Sequence, residues 1–312
     1  MPTRDSVHVD TPLTNISIAH FQDALMFAAN RVPGVSVPKQ FDKYFVYNKS
    51  DLLRDEMQER AAGSESVRTN YRMSTDSYFC DRFSLSIPVT DDEIADADSP
   101  LAPLADAAEV LTQKALIKHE VKMAATVMAA ASWGSNTAAL SGTDRFDDYT
   151  SSDPIDKVAD AMRTIQPAGM IPNTIITNWK VFSVLRDHPD VIARLRDGGT
   201  DPKVANQNDL ARIFGVNQFL VAGGVYNSAV GGATAVYSNI VANSLLVCYL
   251  DPGASLKKPS AFKRFDYRRF GLSQIKRWRE ESREAEIVEI NCAFDYKITG
   301  AELGYLYTTV VS

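Results

Sequence analysis

Cysteine is scarce in this chain. Cys80, Cys248 and Cys292 are the only three in 312 residues, they lie far apart, and no two make a CxxC pair. That excludes a disulfide framework and places the chain in a reducing compartment, the cytosol where it is made. Cys292 falls in an alternating pattern and reads as a small core residue. The four histidines (His8, His20, His119, His188) have no ligand-like spacing. His119-Glu120 opens an HExx sequence, but Met123 stands where a second zinc-binding histidine is needed. No apolar run reaches the roughly 18 residues that cross a bilayer. The opening MPTRDSVHVDTPLTN lacks the basic-then-apolar layout of a signal peptide. A net charge of −6 gives no basic excess, which argues against a dedicated nucleic-acid binder. GxSxG and GxxxxGK[ST] are both missing. VAGGVYNSAVGGA follows a predicted strand without matching GxGxxG, and reads as a flexible or interface-facing loop.

What is present is ordinary in bulk: 45% hydrophobic and 23% charged residues, enough chain for one large or two ordinary domains. The organisation is less ordinary. From Pro103 to Trp133 no glycine and no second proline interrupts the chain, which predicts one helix about 45 Å long at 1.5 Å per residue. Val110, Ile117, Val121 and Met128 form its apolar seam, with Ala124 beside it. Lys114, Lys118 and Lys122 make a row along one flank, and Glu109, Gln113 and Glu120 lie along the other. Those flanks are either solvated or face neighbouring subunits, and the helix alone does not separate the two.

Near the end, Val288, Ile290, Cys292, Phe294, Tyr296 and Ile298 alternate with Glu289, Asn291, Ala293, Asp295 and Lys297. That predicts a strand of about 35 Å. A long helix on a long strand makes an elongated platform, better suited to tiling than to enclosing a ligand. A hairpin is expected from Tyr44–Asn48 paired with YFCDRFSLSIPV, with a charged tip, and it needs another body to rest on. Asp91, Asp92, Glu93, Asp96 and Asp98 suit a helix N-terminus. They lack the glycine and closing glutamate of an EF-hand loop.

Residues 1–45, with a short helix from Thr14 to Asn30 and the extended VPGVSVPKQFDKYF, read as an arm that wraps over something else. An α/β module follows Asp153-Pro154, with Asn178 capping one of its helices and His188 placing a favourable imidazole at a helix end. The basic, aromatic stretch Lys257–Arg279 precedes an acidic one, Glu280 to Glu289. Pairing between the two, within or between subunits, is preferred over a nucleic-acid patch.

The order of these parts resembles the major capsid proteins of tailed bacteriophages, with the Hong Kong 97-type fold. The resemblance spans nearly the whole chain. It rests on Asp51-Leu-Leu-Arg-Asp-Glu-Met, Arg60-Ala-Ala-Gly-Ser-Glu-Ser, Tyr78-Phe-Cys, Ile94-Ala-Asp-Ala-Asp and the long helix. In the module it rests on Ser152-Asp-Pro-Ile, Ile171-Pro-Asn, Leu185-Arg-Asp-His-Pro-Asp-Val, Leu210-Ala-Arg-Ile-Phe-Gly-Val and Val225-Tyr-Asn.

The resemblance implies an α+β chain with an N-terminal arm (1–45), an E-loop hairpin (46–99), a peripheral domain with a spine helix (100–152), an inserted axial domain (153–275) and return strands of the peripheral domain (276–312). It implies no active site, cofactor or metal. Its activity would be self-assembly through pentamers and hexamers into an icosahedral virion capsid, put together in the host cytoplasm. Partners would be a separate scaffolding protein, a portal protein and non-specifically packaged double-stranded DNA, with no membrane. The founding type's lysine–asparagine cross-link does not carry over, because Arg54 to Arg72 contains no lysine. Candidate subunit contacts are Arg54, Asp55, Glu56, Arg60 and Glu65 in the E-loop, with Lys114, Lys118 and Lys122 on the spine. The alternatives are an encapsulin-like cargo shell, a soluble α/β nucleotide-binding enzyme using Gly223–Ala233, and a nucleic-acid module at Lys257–Arg279.

Overall fold

The computed structural model describes residues 25–47, 49–97, 101–195, 204–230 and 232–312. The expected arm up to residue 24 and Asp98 of the acidic block lie outside them. Helix α1 (Ala28–Arg31) and strand β1 (Gly34–Val37) lead to a hairpin of β2 (Phe41–Tyr47) and β3 (Met73–Phe79), with the single turn α2 (Lys49–Leu52) in its tip. Strand β4 (Asp81–Thr90), the turn α3 (Asp91–Ala95) and the long helix α4 (Pro103–Val127) follow. The next part holds β5 (Thr137–Ala139), α5 (Pro154–Ile165), β6 (Thr174–Asn178), α6 (Trp179–Asp187), α7 (Pro189–Leu195) and α8 (Gln207–Phe214). It continues through β7 (Gln218–Ala222), β8 (Val225–Asn227), β9 (Tyr237–Asn239) and β10 (Leu245–Cys248). The chain ends with β11 (Phe262–Tyr267), β12 (Gln274–Glu280), β13 (Ala285–Ile298) and β14 (Gly304–Thr308).

The platform is built on β13. At 14 residues it runs about 46 Å, longer than its alternation predicts, because Ala285 to Ile287 also find partners in β4. It pairs antiparallel with β4, β11 and β12, and β1 joins β11 in parallel. Helix α4 lies on its even-numbered face. Val288 and Ile290 pack there against Ala107, Leu111 and Ala115. Phe294 and Cys292 share a second cluster with Met123 and Val127.

Two expectations for this helix need correction. It ends at Val127, about 37 Å from its start, and Ala130–Trp133 forms a separate 3-10 turn. The terminal carbonyls are taken from outside the backbone ladder: Ser132 Oγ donates to Thr126 O at 2.7 Å and Trp133 Nε1 to Val127 O at 2.8 Å. Turning the chain there buries Trp133 against Gly304, where a Cβ would stand 2.1 Å from the indole ring. Only glycine permits that approach. The apolar seam is also displaced. Val110 is 39% exposed, and the buried row is Ala107, Leu111, Ala115, His119, Met123 and Val127, with Gln113 and Glu120 beside it. An i, i+4 row drifts around the helix, so its first half meets one core and its second half another.

The hairpin forms, but YFCDRFSLSIPV is not one strand of it. The pairing changes at Cys80, whose N–H donates to Gln40 O at 2.9 Å. Before Phe41 the chain is committed to β1 and β11, so β2 offers no further partner and β4 turns to β13 instead.

The module carries the second five-stranded sheet, in the order β5-β14-β10-β6-β7. Asp153, Asn178 and Asn206 cap α5, α6 and α8 through their side chains. β14 lies in this sheet, whereas β12 and β13 stay in the platform, so the segment 276–312 spans both bodies. After β7 a strand follows rather than a helix, so the Gly223–Ala233 stretch presents no helix N-terminus to a dinucleotide. His188 also differs from expectation. It is fully buried, its Nε2 sits 3.1 Å from Ser152 Oγ, and desolvation pushes its pKa down. It is a neutral core group rather than a cation on a helix end.

Candidate assembly surfaces

The hairpin has two unlike faces. On its lower face Tyr78 stacks on Phe265 with ring centroids 4.7 Å apart, and Tyr44 lies 5.6 Å from the same ring. Tyr44 OH donates to Asp76 at 2.8 Å, and Lys297 Nζ reaches Asp76 at 3.1 Å and Ser77 O at 2.8 Å. The upper face leaves Phe41, Phe45 and Phe79 exposed. A neck closes the tip: Arg72 grips Asp51 with two parallel bonds of 2.9 Å, which lowers the Asp51 pKa to about 2. Beyond it, Arg54, Asp55, Arg60 and Glu65 are exposed, while Glu56 is half-buried and held by Arg54 and Thr69. These five candidate residues share one tip, as their spacing suggests.

The three spine lysines line one flank of α4 but differ in company. Lys122 Nζ donates to Asp81 at 2.8 Å, tying the helix to the start of β4. Lys118 Nζ sits 4.6 Å over the Phe83 ring. Lys114 is exposed. Between this flank and β4 runs a groove of about 240 Å³ floored by Phe83, Leu85, Ile290 and Cys292.

Sequence reasoning assigned Glu120 to a charged flank, but it is fully buried, and it belongs to a clamp around α1. Glu120 Oε2 accepts from Ala28 N–H at 2.9 Å. Arg264 of β11 donates to the carbonyls of Ala28 and Ala29 from Nη1, and to Asp266 Oδ2 at 2.9 Å from Nε. Burial raises the Glu120 pKa to about 7, against the pull of the backbone donors. His119, beside it in the chain, stacks on Phe294 at 3.5 Å and is held neutral, its pKa lowered to about 3 by desolvation and then by Arg264.

The basic and acidic stretches do pair. Lys276 stands opposite Glu289 and Arg279 opposite Glu286 across β12 and β13, and Arg277 reaches Glu286 at 2.5 Å. Arg279 also forks onto Asp91 at 2.7 and 2.9 Å. Lys263 is consumed by three carbonyls, Ser255, Leu256 and Lys258. Among the described residues no cluster of His, Cys, Asp and Glu could hold a metal, and no helix is long and apolar enough to cross a membrane.

No family model and no curated protein matches the sequence. Solved structures do. A phage-related protein from Bordetella bronchiseptica RB50 aligns with a TM-score of 0.72 at 18% identity, covering 93% of this chain and 94% of its own. The capsid of cyanophage P-SCSP1u aligns at 0.60 and 10% identity, over 97% and 93%. The mature capsid of bacteriophage PhiM1 aligns at 0.52 and 12%, over 88% and 83%. Each alignment runs over most of both chains, so the likeness is one of the whole fold rather than of a single part. The fold is that of phage capsid proteins, the Hong Kong 97 type which the sequence resembles.

Proposed function

We propose that the chain is a major capsid protein, a structural tile without catalytic activity. It assembles through pentamers and hexamers into an icosahedral shell around double-stranded DNA. The observation that carries this reading is the hairpin: a long projection, apolar on its upper face and charged at its tip, on a chain with the phage capsid fold over nearly its whole length. Such a surface is unfavourable on a lone molecule and gains its stability from adjacent copies. In this assignment the hairpin is the E-loop, α4 the spine of the peripheral domain, the module the axial domain, and the arm belongs to the chain before β2. Scaffolding and portal proteins are its partners, in a virion capsid assembled in the host cytoplasm. Negative-stain microscopy of the expressed protein is expected to show closed icosahedral particles. A dispersed monomer under all assembly conditions overturns the reading.

The lysine row gives a sharper test. The triple variant K114E/K118E/K122E is expected to fold, because the half-exposed Lys122–Asp81 pair contributes only about 1 kcal/mol. It is expected to lose particles, because three reversed charges on one flank repel whatever anionic surface docks there. Sedimentation and circular dichroism together read the two effects, and normal particles would remove the row from the interface.

A further inference from the structure

The groove between α4 and β4 has an apolar floor in Phe83, Leu85, Ile290 and Cys292 and a cationic rim in Lys114 and Lys118. Leu85 is 48% exposed, so none of the described residues covers it. A fitting occupant is an apolar side chain flanked by carboxylates. Met57 meets that description. It is 95% exposed, it stands on the hairpin tip, and the exposed carboxylates Asp55 and Glu59 flank it in sequence. The other most exposed apolar residues fail the charge requirement. Val230 and Tyr237 belong to 223–240, which contains no charged residue, Ile171 lies between Met170 and Pro172, and Val204 follows a lysine, Lys203.

We propose that this groove is the seat of Met57 from a second copy of the chain, with Lys114 and Lys118 facing the carboxylates beside it. The proposal rests on the shell reading above and adds to it a defined pocket and its occupant. An unbranched thioether suits the site, since it fills an irregular slot about 240 Å³ in volume without demanding one shape. The carboxylates orient the approach, and the methionine supplies the buried apolar contact. The occupant comes from another molecule, because the chain's own tip leaves Met57 in solvent.

Particles of the double variant M57C/L85C, treated with oxidised glutathione, are expected to run as dimers and higher multimers on a non-reducing gel, while L85C alone runs as monomer. Particles of the double variant that remain monomeric under the same oxidant overturn the seat. The variant M57A provides an independent reading. Its circular dichroism should match the parent, and the concentration needed for assembly should rise about tenfold or more. Assembly of M57A at the parent concentration also overturns the proposal. Failure of the parent chain to form particles strikes the shell reading instead, so the two failures are distinct.

Discussion

Replacing Arg264 with methionine is expected to destabilise the subunit by about 3–5 kcal/mol, as breaking a buried ion pair does when one partner is left behind. Arg264 and Asp266 are both nearly inaccessible, with 2.9 Å between Nη2 and Oδ2. Burial already raises the Asp266 pKa, and Arg264 is the group that opposes that rise. Without the guanidinium, the carboxylate and the carbonyls of Ala28 and Ala29 lose their donor together. The double variant R264M/D266L should recover the carboxylate's share but not that of the carbonyls, so its loss falls between the parent and R264M. Urea unfolding followed by tryptophan fluorescence reads the difference. A second readout is local: Arg31 ends α1, and cleavage by trypsin after it should quicken about tenfold or more in R264M, because the clamp no longer holds the segment. Equal stability of R264M and the parent, with unchanged cleavage, would show that the pair contributes nothing.

Gly34 tests the same site from the other side. A Cβ there would lie 2.2 Å from Asp266 Oδ2 and 2.3 Å from Arg264 Nη2, so G34A drives a methyl group into the ion pair. The expected cost is about 1–3 kcal/mol, that of overpacking a closed core. The backbone of Gly34 needs no unusual φ, and the requirement is one of space.

Legibility followed periodicity. The even-numbered apolar series of β13, the cap at Asn178 and the charged hairpin tip were all readable, because each is a local pattern with a local physical cause. The end of α4 was not readable. No proline or glycine marks Val127; the helix stops because Trp133 and Ser132 return to its last carbonyls, and that depends on Gly304 far along the chain. The break at Cys80 was hidden for the same reason, being set by where β1 and β13 find partners. Among the candidate contacts, spacing correctly grouped the three lysines on one flank. It misplaced Gln113 and Glu120, because the helix changes cores along its length and a single seam does not describe it. The clamp joins residues 28, 120, 264 and 266, and no sequence window contains them together.

The neighbouring His119 and Glu120 should cancel one another's pH dependence, and separating them is expected to reveal a slope of about 1.4 kcal/mol per pH unit. In the folded chain the Glu120 pKa is raised from its ordinary 4.5 to about 7, so its contribution is fully present below 4.5 and is lost as pH rises towards 7. His119 runs the other way. Its folded pKa is lowered from 6.5 to about 3, so its contribution is fully present above 6.5 and is lost as pH falls towards 3. Between pH 4.5 and 6.5 the folded pair holds one proton on Glu120, and the unfolded pair holds one proton on the histidine. Folding therefore takes up and releases none, and the pair adds no slope there. E120Q removes the glutamate from this balance and leaves the histidine. Its stability relative to the parent should climb by about 1.4 kcal/mol for each unit between pH 5 and 6. H119N should show the opposite slope, falling by the same amount. Denaturant unfolding of the parent and both variants at pH 5.0, 5.5 and 6.0 measures the differences directly, and other titrating groups cancel in the comparison. Parallel profiles for all three proteins would mean that burial does not hold this pair neutral.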